Sequence, residues 1–286
     1  MRARVAAWLS QLALVACASD DADVARPDPC SADHRPPSPG SVCVSGVSGR
    51  LVDLEGTPLA ARLTTVCGGD ICFYGRTGGD GAFTTPVGAR VVPDEYVVFA
   101  HGAPTHATLL VELTRALSTP DVRLPELVRL PRLPADGPAL PPDDGPGGVV
   151  SSGGLTLSIP AGTRVSLDVE DVARGDLGRM LRVVRVSGPD LPPFARELGA
   201  AFAFAAAPFD ASFSRPVGAT IEVAGELSPG QAVEIWDQEA SFLGDTTRTG
   251  GAHRVAEGVV SPDGREITLQ PVLTRLTWLV VRLAPR

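Results

Sequence analysis

"GGLTLSIPAGTRVSLDVEDV", residues 153–172, is the stretch from which the fold class is read. Leu155, Leu157 and Ile159 alternate with Thr156 and Ser158, then Val165, Leu167 and Val169 alternate with Ser166 and Asp168. Successive side chains of a strand point to opposite faces, so a period of two marks strands with one face buried. The same alternation places Asp168 and Glu170 on the solvent face of a sheet, which argues against a catalytic carboxylate pair with Asp171.

The pattern continues in both directions. Downstream, "AAFAFAAAPFDASFSRPVGATIEV" (200–223), "AVEIWDQE" (232–239), "REITLQPVL" (265–273) and "LTWLVVRL" (276–283) complete about eight strands. Pro262-Asp263-Gly264 is expected to turn the last hairpin, and Trp278, alternating with Leu276 and Val280, is expected in the core. Upstream, "VSGRLVDLEGTPLAARLTTVC" (47–67), "GRTGGDGAFTTP" (75–86), "EYVVFAHG" (95–102), "ATLLVELT" (107–114) and "DVRLPELVRLP" (121–131) give six or seven more. Turns fall at Leu54-Glu55-Gly56-Thr57 and Gly79-Asp80-Gly81, where glycine tolerates positive φ. Neither half sustains a helical period. The reading is all-β: two β-sandwich domains, 43–133 and 149–286, joined by a Pro/Gly-rich linker, "PADGPALPPDDGPGG" (134–148).

Gly49, Pro58 to Ala60, and Asp80, Gly81 and Phe83 lie where the carboxypeptidase regulatory-like domain carries a glycine-marked first strand, a Pro-Leu-Ala after a turn, and a "DG.F" hairpin. The first unit resembles that family over about 90 residues, and the resemblance implies a transthyretin-like sandwich without a peptidase site. The succession "GLTLSIPAGT", "FSRPVGATIEV", "LSPGQAVEIWDQE" and "TRLTWLVV" resembles the β-sandwich module of ankyrins, netrin receptors and bacterial surface proteins.

The amino-terminal end reads differently. Arg2 and Arg4 precede the short apolar run "VAAWLSQLALVA" (5–16), and "LALVACASDD" (12–21) then turns acidic at Cys17. A membrane-spanning helix needs about 20 apolar residues, so the run suits an export signal over 1–16. Leu14-Val15-Ala16-Cys17 resembles a bacterial lipobox. The resemblance implies a diacylglyceryl group on the Cys17 thiol, cleavage before it and acylation of the new amino end, since two or more chains anchor stably where one does not. An ordinary secretory signal with an incidental cysteine is the alternative. Residues 17–42 then read as a lipidated cysteine and Pro-rich tether, acidic first at Asp20, Asp21 and Asp23. Ala18 and Ser19 lack the aspartate that retains some lipoproteins inside, which favours the outer membrane of a bacterial envelope.

Lipidation of Cys17 leaves four of the five cysteines, Cys30, Cys43, Cys67 and Cys72. Of the three connectivities, the pairing expected is Cys67 with Cys72 and Cys30 with Cys43, in an oxidising compartment. No second C-x-x-C pair supports a metal, and none is expected. The net charge of −8 becomes about −10 once the signal takes away Arg2 and Arg4. All cationic side chains are arginine, without a basic cluster, so nucleic acid is not an expected partner.

Candidate chemistry is sparse. No G-x-S-x-G elbow occurs. His101 and His106, across "HGAPTH", could converge on a metal but read better as exposed loop residues; His34 falls in the tether and His253 in a Gly-rich loop. Asp143-Asp144 read as solvation of the linker. Phe73 and Tyr74 beside the "CGGDIC" hairpin, and Trp236 sharing a face with Glu234 and Gln238, are the candidate binding residues. The expectation is a non-enzymatic, lipid-anchored envelope protein without a cofactor, held to the membrane by its anchor and meeting an envelope or extracellular protein. The alternatives are a secreted hydrolase whose site forms only in three dimensions, and an accessory subunit that accepts a strand at a sheet edge.

Overall fold

The computed structural model describes residues 30–31, 39–68, 71–113, 120–238, 240 and 250–285. Cys17, the signal segment and most of the tether lie outside the described residues. The chain is all-β: four sheets with two five-residue α-helices and three short 3-10 helices among the described residues. No helix among them is long and apolar enough to cross a membrane.

The first unit opens with β1 (Val42–Val52), β2 (Leu63–Cys67), β3 (Cys72–Arg76) and β4 (Ala82–Val91). It continues with β5 (Val97–Ala100), β6 (Leu109–Glu112), β7 (Asp121–Arg123) and β8 (Val128–Arg129). One sheet runs β4-β1-β7 with β8 also on β1, the other β3-β2-β5-β6. The stretch 121–131 makes two short strands rather than one, broken around Pro125, and both run parallel to β1. Gly49 faces Phe83 in the β1–β4 register, and a Cβ there would stand 2.8 Å from the Phe83 ring. Glycine is the residue this approach admits. The Gly79-Asp80-Gly81 turn closes with Gly81 at φ 78°, outside the comfortable range of other residues.

The second unit holds β9 (Gly148–Ser152), β10 (Leu155–Ile159), β11 (Val165–Ser166), α1 (Val169–Ala173), β12 (Arg182–Ser187), α2 (Pro193–Glu197) and β13 (Phe202–Ala207). It ends with β14 (Ala211–Glu222), β15 (Ala232–Gln238), β16 (Ala252–Val259), β17 (Glu266–Leu276) and β18 (Leu279–Leu283). One sheet places β9, β10, β14 and β17 side by side with β11 also on β14; the other runs β12-β13-β18-β15-β16. The Pro262-Asp263-Gly264 turn closes the last hairpin as expected: Val260 bridges Ile267 antiparallel and the Ser261 amide donates to the Glu266 carbonyl at 2.8 Å, after which the chain crosses at Thr277-Trp278 from β17 to β18 in the other sheet. His253 sits on β16, paired opposite Asp237, and not in a loop.

The opening alternation ends sooner than expected. Strand β11 stops at Ser166, and Asp168 caps α1, its Oδ1 accepting from the Asp171 amide at 2.8 Å. Asp168 and Glu170 therefore leave the sheet, and Asp171 is buried.

Within the β12-β13-β18-β15-β16 sheet, β13 is buried on both faces, a situation that calls for a continuous apolar run. Along β13, Phe202, Phe204 and Ala206 enter one core, shared with Leu155, Leu157 and Ile221. Ala203, Ala205 and Ala207 enter the other, with Val97, Leu110 and Leu113 of the first unit. Trp278 and Val280 join that second core. The alanines are small enough for the two units to approach closely. The four sheets thus stack face to face, and the two sandwiches share a core. Residues 134–148 are laid along the second unit: Leu140 is buried, its amide donates to the Arg179 carbonyl, and Asp143 Oδ1 accepts from the Val165 amide.

Candidate functional site

The contact between the sandwiches carries the concentrated chemistry. On the β3-β2-β5-β6 sheet, Thr65, Tyr74, Phe99 and Leu110 fall on one face by register, turned toward the second unit. Three buried polar ties cross from it. Trp278 Nε1 donates to the Thr108 carbonyl at 2.7 Å, and Arg182 Nη1 to the Pro104 carbonyl at 2.6 Å. Gln238 behaves as a one-residue strand: its Nε2 donates to the Leu110 carbonyl at 2.9 Å and its Oε1 accepts from the Leu110 amide at 3.2 Å. The same Nε2 donates to the Gly250 carbonyl at 3.1 Å.

Beside these ties lies a charged seam. His101 follows β5 and stacks on Phe99 with ring centroids 5.6 Å apart. Its Nε2 stands 3.2 Å from Thr65 Oγ1 and its Nδ1 3.8 Å from Glu170 Oε2. Arg174 Nη2 and Nη1 then hold Glu170 at 3.0 Å and Asp171 at 2.6 Å. Burial pushes the imidazole below its ordinary value, against the pull of Glu170 and Asp168. Burial pushes the Asp171 carboxyl up to about 6, Asp168 adding repulsion and Arg174 opposing it. These groups line a cavity of about 60 Å³, together with His106 and Asp210. The two histidines are thus buried or half-buried, not exposed, because the second unit covers their loop. His106 Nδ1 lies 2.9 Å from Thr105 Oγ1. Among the described residues no three His, Cys, Asp or Glu side chains gather closely enough to hold a metal.

A second feature is an apolar groove of about 330 Å³ at the open side of the first sandwich. Its walls are β6 and the β7–β8 connection, with Phe194 and Leu198 of the α2 segment and Gly250 to Ala252 on the other side. Arg196 pairs with Glu126 across its rim.

The residues singled out from the sequence are spread over the molecule. Phe73 and Tyr74 point to opposite faces of β3: Phe73 packs against the core, and Tyr74 is 65% exposed. They do not form one patch. Trp236 is half-buried, its indole donating to Glu234 Oε2 at 3.2 Å while the Arg282 guanidinium lies 4.9 Å over its ring. Glu234 also accepts from Arg282 at 2.6 Å and Arg254 at 3.2 Å; burial pushes its carboxyl up, and these hydrogen bonds outweigh that and hold it below the usual range. Gln238, expected on the same face, is fully buried. The two disulfides are Cys30–Cys43 and Cys67–Cys72, the second closing the β2–β3 hairpin.

Sequence reading missed the bridging role of Gln238 and did not single out Arg174 or Arg182. A guanidinium inside the apolar run "LRVVRV" (181–186) was the available signal for Arg182. The capping aspartate three residues before Asp171 was the signal for α1. Compared with protein-family models and with curated proteins, the chain matches none.

Proposed function

We propose that this chain is a non-enzymatic, lipid-anchored protein of the bacterial envelope, presenting two fused β-sandwiches as one rigid body for scaffolding or protein contact. The shared core between the units carries the reading: a body with its large apolar faces already buried suits standoff and display. The Cys30–Cys43 disulfide ties the end of the tether to the first strand, as an attachment under tension requires. Three of the sheet edges speak against strand acceptance. Pro86 and Pro271 interrupt β4 and β17, and Gln238 occupies both backbone groups of Leu110 on β6. The anchor is tested by mass spectrometry of the native protein and by labelled-palmitate incorporation. A mature chain beginning at acylated Cys17, with label lost in Cys17→Ala, supports it; an unacylated chain beginning at Met1 overturns it. Crosslinking and pull-down from envelope extract tests display, with a saturable protein partner as the expected outcome.

The hydrolase reading draws on one observation, that the buried His101 and Asp171 line one small cavity. At about 60 Å³ that cavity accommodates water rather than a substrate, well under the few hundred Å³ of ordinary ligand sites. Turnover of an ester, amide or glycoside substrate, abolished in Asp171→Asn, would favour it over display.

A further inference from the structure

We propose that the apolar groove beside the junction of the two sandwiches binds a cationic amphiphile, a small molecule with an alkyl tail and an amine head. The inference goes beyond display and does not depend on the anchor.

The groove is built in advance of any ligand. One amide ties its two sides: Gln238 Nε2 donates to the Leu110 carbonyl on β6 at 2.9 Å and to the Gly250 carbonyl opposite at 3.1 Å. Phe194, on the same side as Gly250, is set by an edge-to-face contact with Trp278, ring centroids 6.3 Å apart. Walls fixed in this way spare a ligand the cost of ordering them. Small-molecule sites favour the meeting of two units and offer about 300–1,000 Å³, and this groove, at about 330 Å³, falls within that range.

The lining selects the tail. Leu124, Leu127 and Leu198 present hydrocarbon, and Pro125 and Pro193 have no N–H to offer. Leu127 is 45% exposed, so there is apolar surface to cover. An extended peptide fits less well, because a strand added to β6 would need the Leu110 amide and carbonyl, which Gln238 occupies. The rim selects the head. The charged groups among the lining residues are Glu112, Glu126 and Glu197, all carboxylates. Arg196 pairs with Glu126, and Glu112 and Glu197 have neighbours of their own. An amine thus enters a negative field, deepened by the chain's net charge of −8, rather than an open ion pair. A carboxylate or phosphate head meets repulsion there.

The test is a methyl NMR titration of the chain with decylammonium, decanol and decanoate, at neutral pH and below their micelle concentrations. Decylammonium should shift the methyls of Leu127 and Leu198 saturably, with an affinity about tenfold above that of decanoate, the gap narrowing as salt is added. Val149 and Val169, exposed on the second unit, should stay unmoved. Ala252→Phe, which sets a ring in the groove, should abolish the shifts; Glu126→Gln should weaken decylammonium and leave decanol unchanged.

Equal affinity for amine and acid overturns the proposal, as does the absence of saturable shifts or their spread to Val149 and Val169. Should Ala252→Phe fail to fold, the wild-type shift pattern and the order of the three affinities decide. A basic peptide that shifts Leu127 and Leu198 where decylammonium does not would assign the groove to a protein and overturn the proposal.

Discussion

At the scale of single residues, the contact between the sandwiches depends on a few polar groups that have no substitute once water is gone. Trp278 is 1% exposed, and its indole N–H satisfies the Thr108 carbonyl. Trp278→Phe keeps most of the apolar bulk and strands that carbonyl, so it should cost about 1–3 kcal/mol, read as a lower urea midpoint at unchanged slope. Gln238→Ala removes three hydrogen bonds and leaves the Leu110 amide and carbonyl without their partner. It should cost more than Trp278→Phe, and hydrogen exchange should show the amide of Leu110 losing protection first. Gly49→Ala places a methyl 2.8 Å from the Phe83 ring, an overpacking expected to cost about 1–3 kcal/mol. The interior place of Trp278 could be read from its alternation with Leu276 and Val280. Its partner could not, because Thr108 lies 170 residues away along the chain.

At the scale of elements, β13 and α1 mark where local pattern does and does not determine structure. The alternation of Phe202 and Phe204 identifies a strand and its first buried face; the intervening alanines carry the second face. Alanine is equally at home on a solvated surface, so only the neighbouring unit reveals their burial. Ala205→Leu should therefore destabilise the chain by about 1–3 kcal/mol or more, whereas a solvated alanine would tolerate the change. Equilibrium unfolding distinguishes the two. In α1 the period-two pattern runs on through Val169, but Asp168 captures the Asp171 amide and starts a helix. The outcome is inverted: Val169 is 81% and Val172 62% exposed, while Asp171 is buried. Charge pairing with Arg174 and the seam decides the orientation of this short helix, and hydrophobic pattern loses. Both strand-rich halves and both disulfides were readable because turns, alternation and cysteine parity are local; the seam was not, since it joins residues 101 and 170.

At the scale of the whole molecule, the shared core predicts cooperative behaviour. Two sandwiches on a free linker would melt separately. Here Ala203, Ala205, Trp278 and Val280 pack with Val97 and Leu110, so opening either unit exposes the other's apolar face. Calorimetry of the chain should give one transition, its calorimetric and van't Hoff enthalpies agreeing; two resolved peaks would contradict the fused architecture. The Cys30–Cys43 bridge adds a mechanical consequence. Tension arriving from the amino-terminal side is passed by that bridge to β1, whose neighbours are β4, β7 and β8. A tug along that strand loads many backbone bonds in shear at once rather than unzipping them singly. The first unit is therefore built to resist a pull that enters along β1 better than one that peels its strands apart.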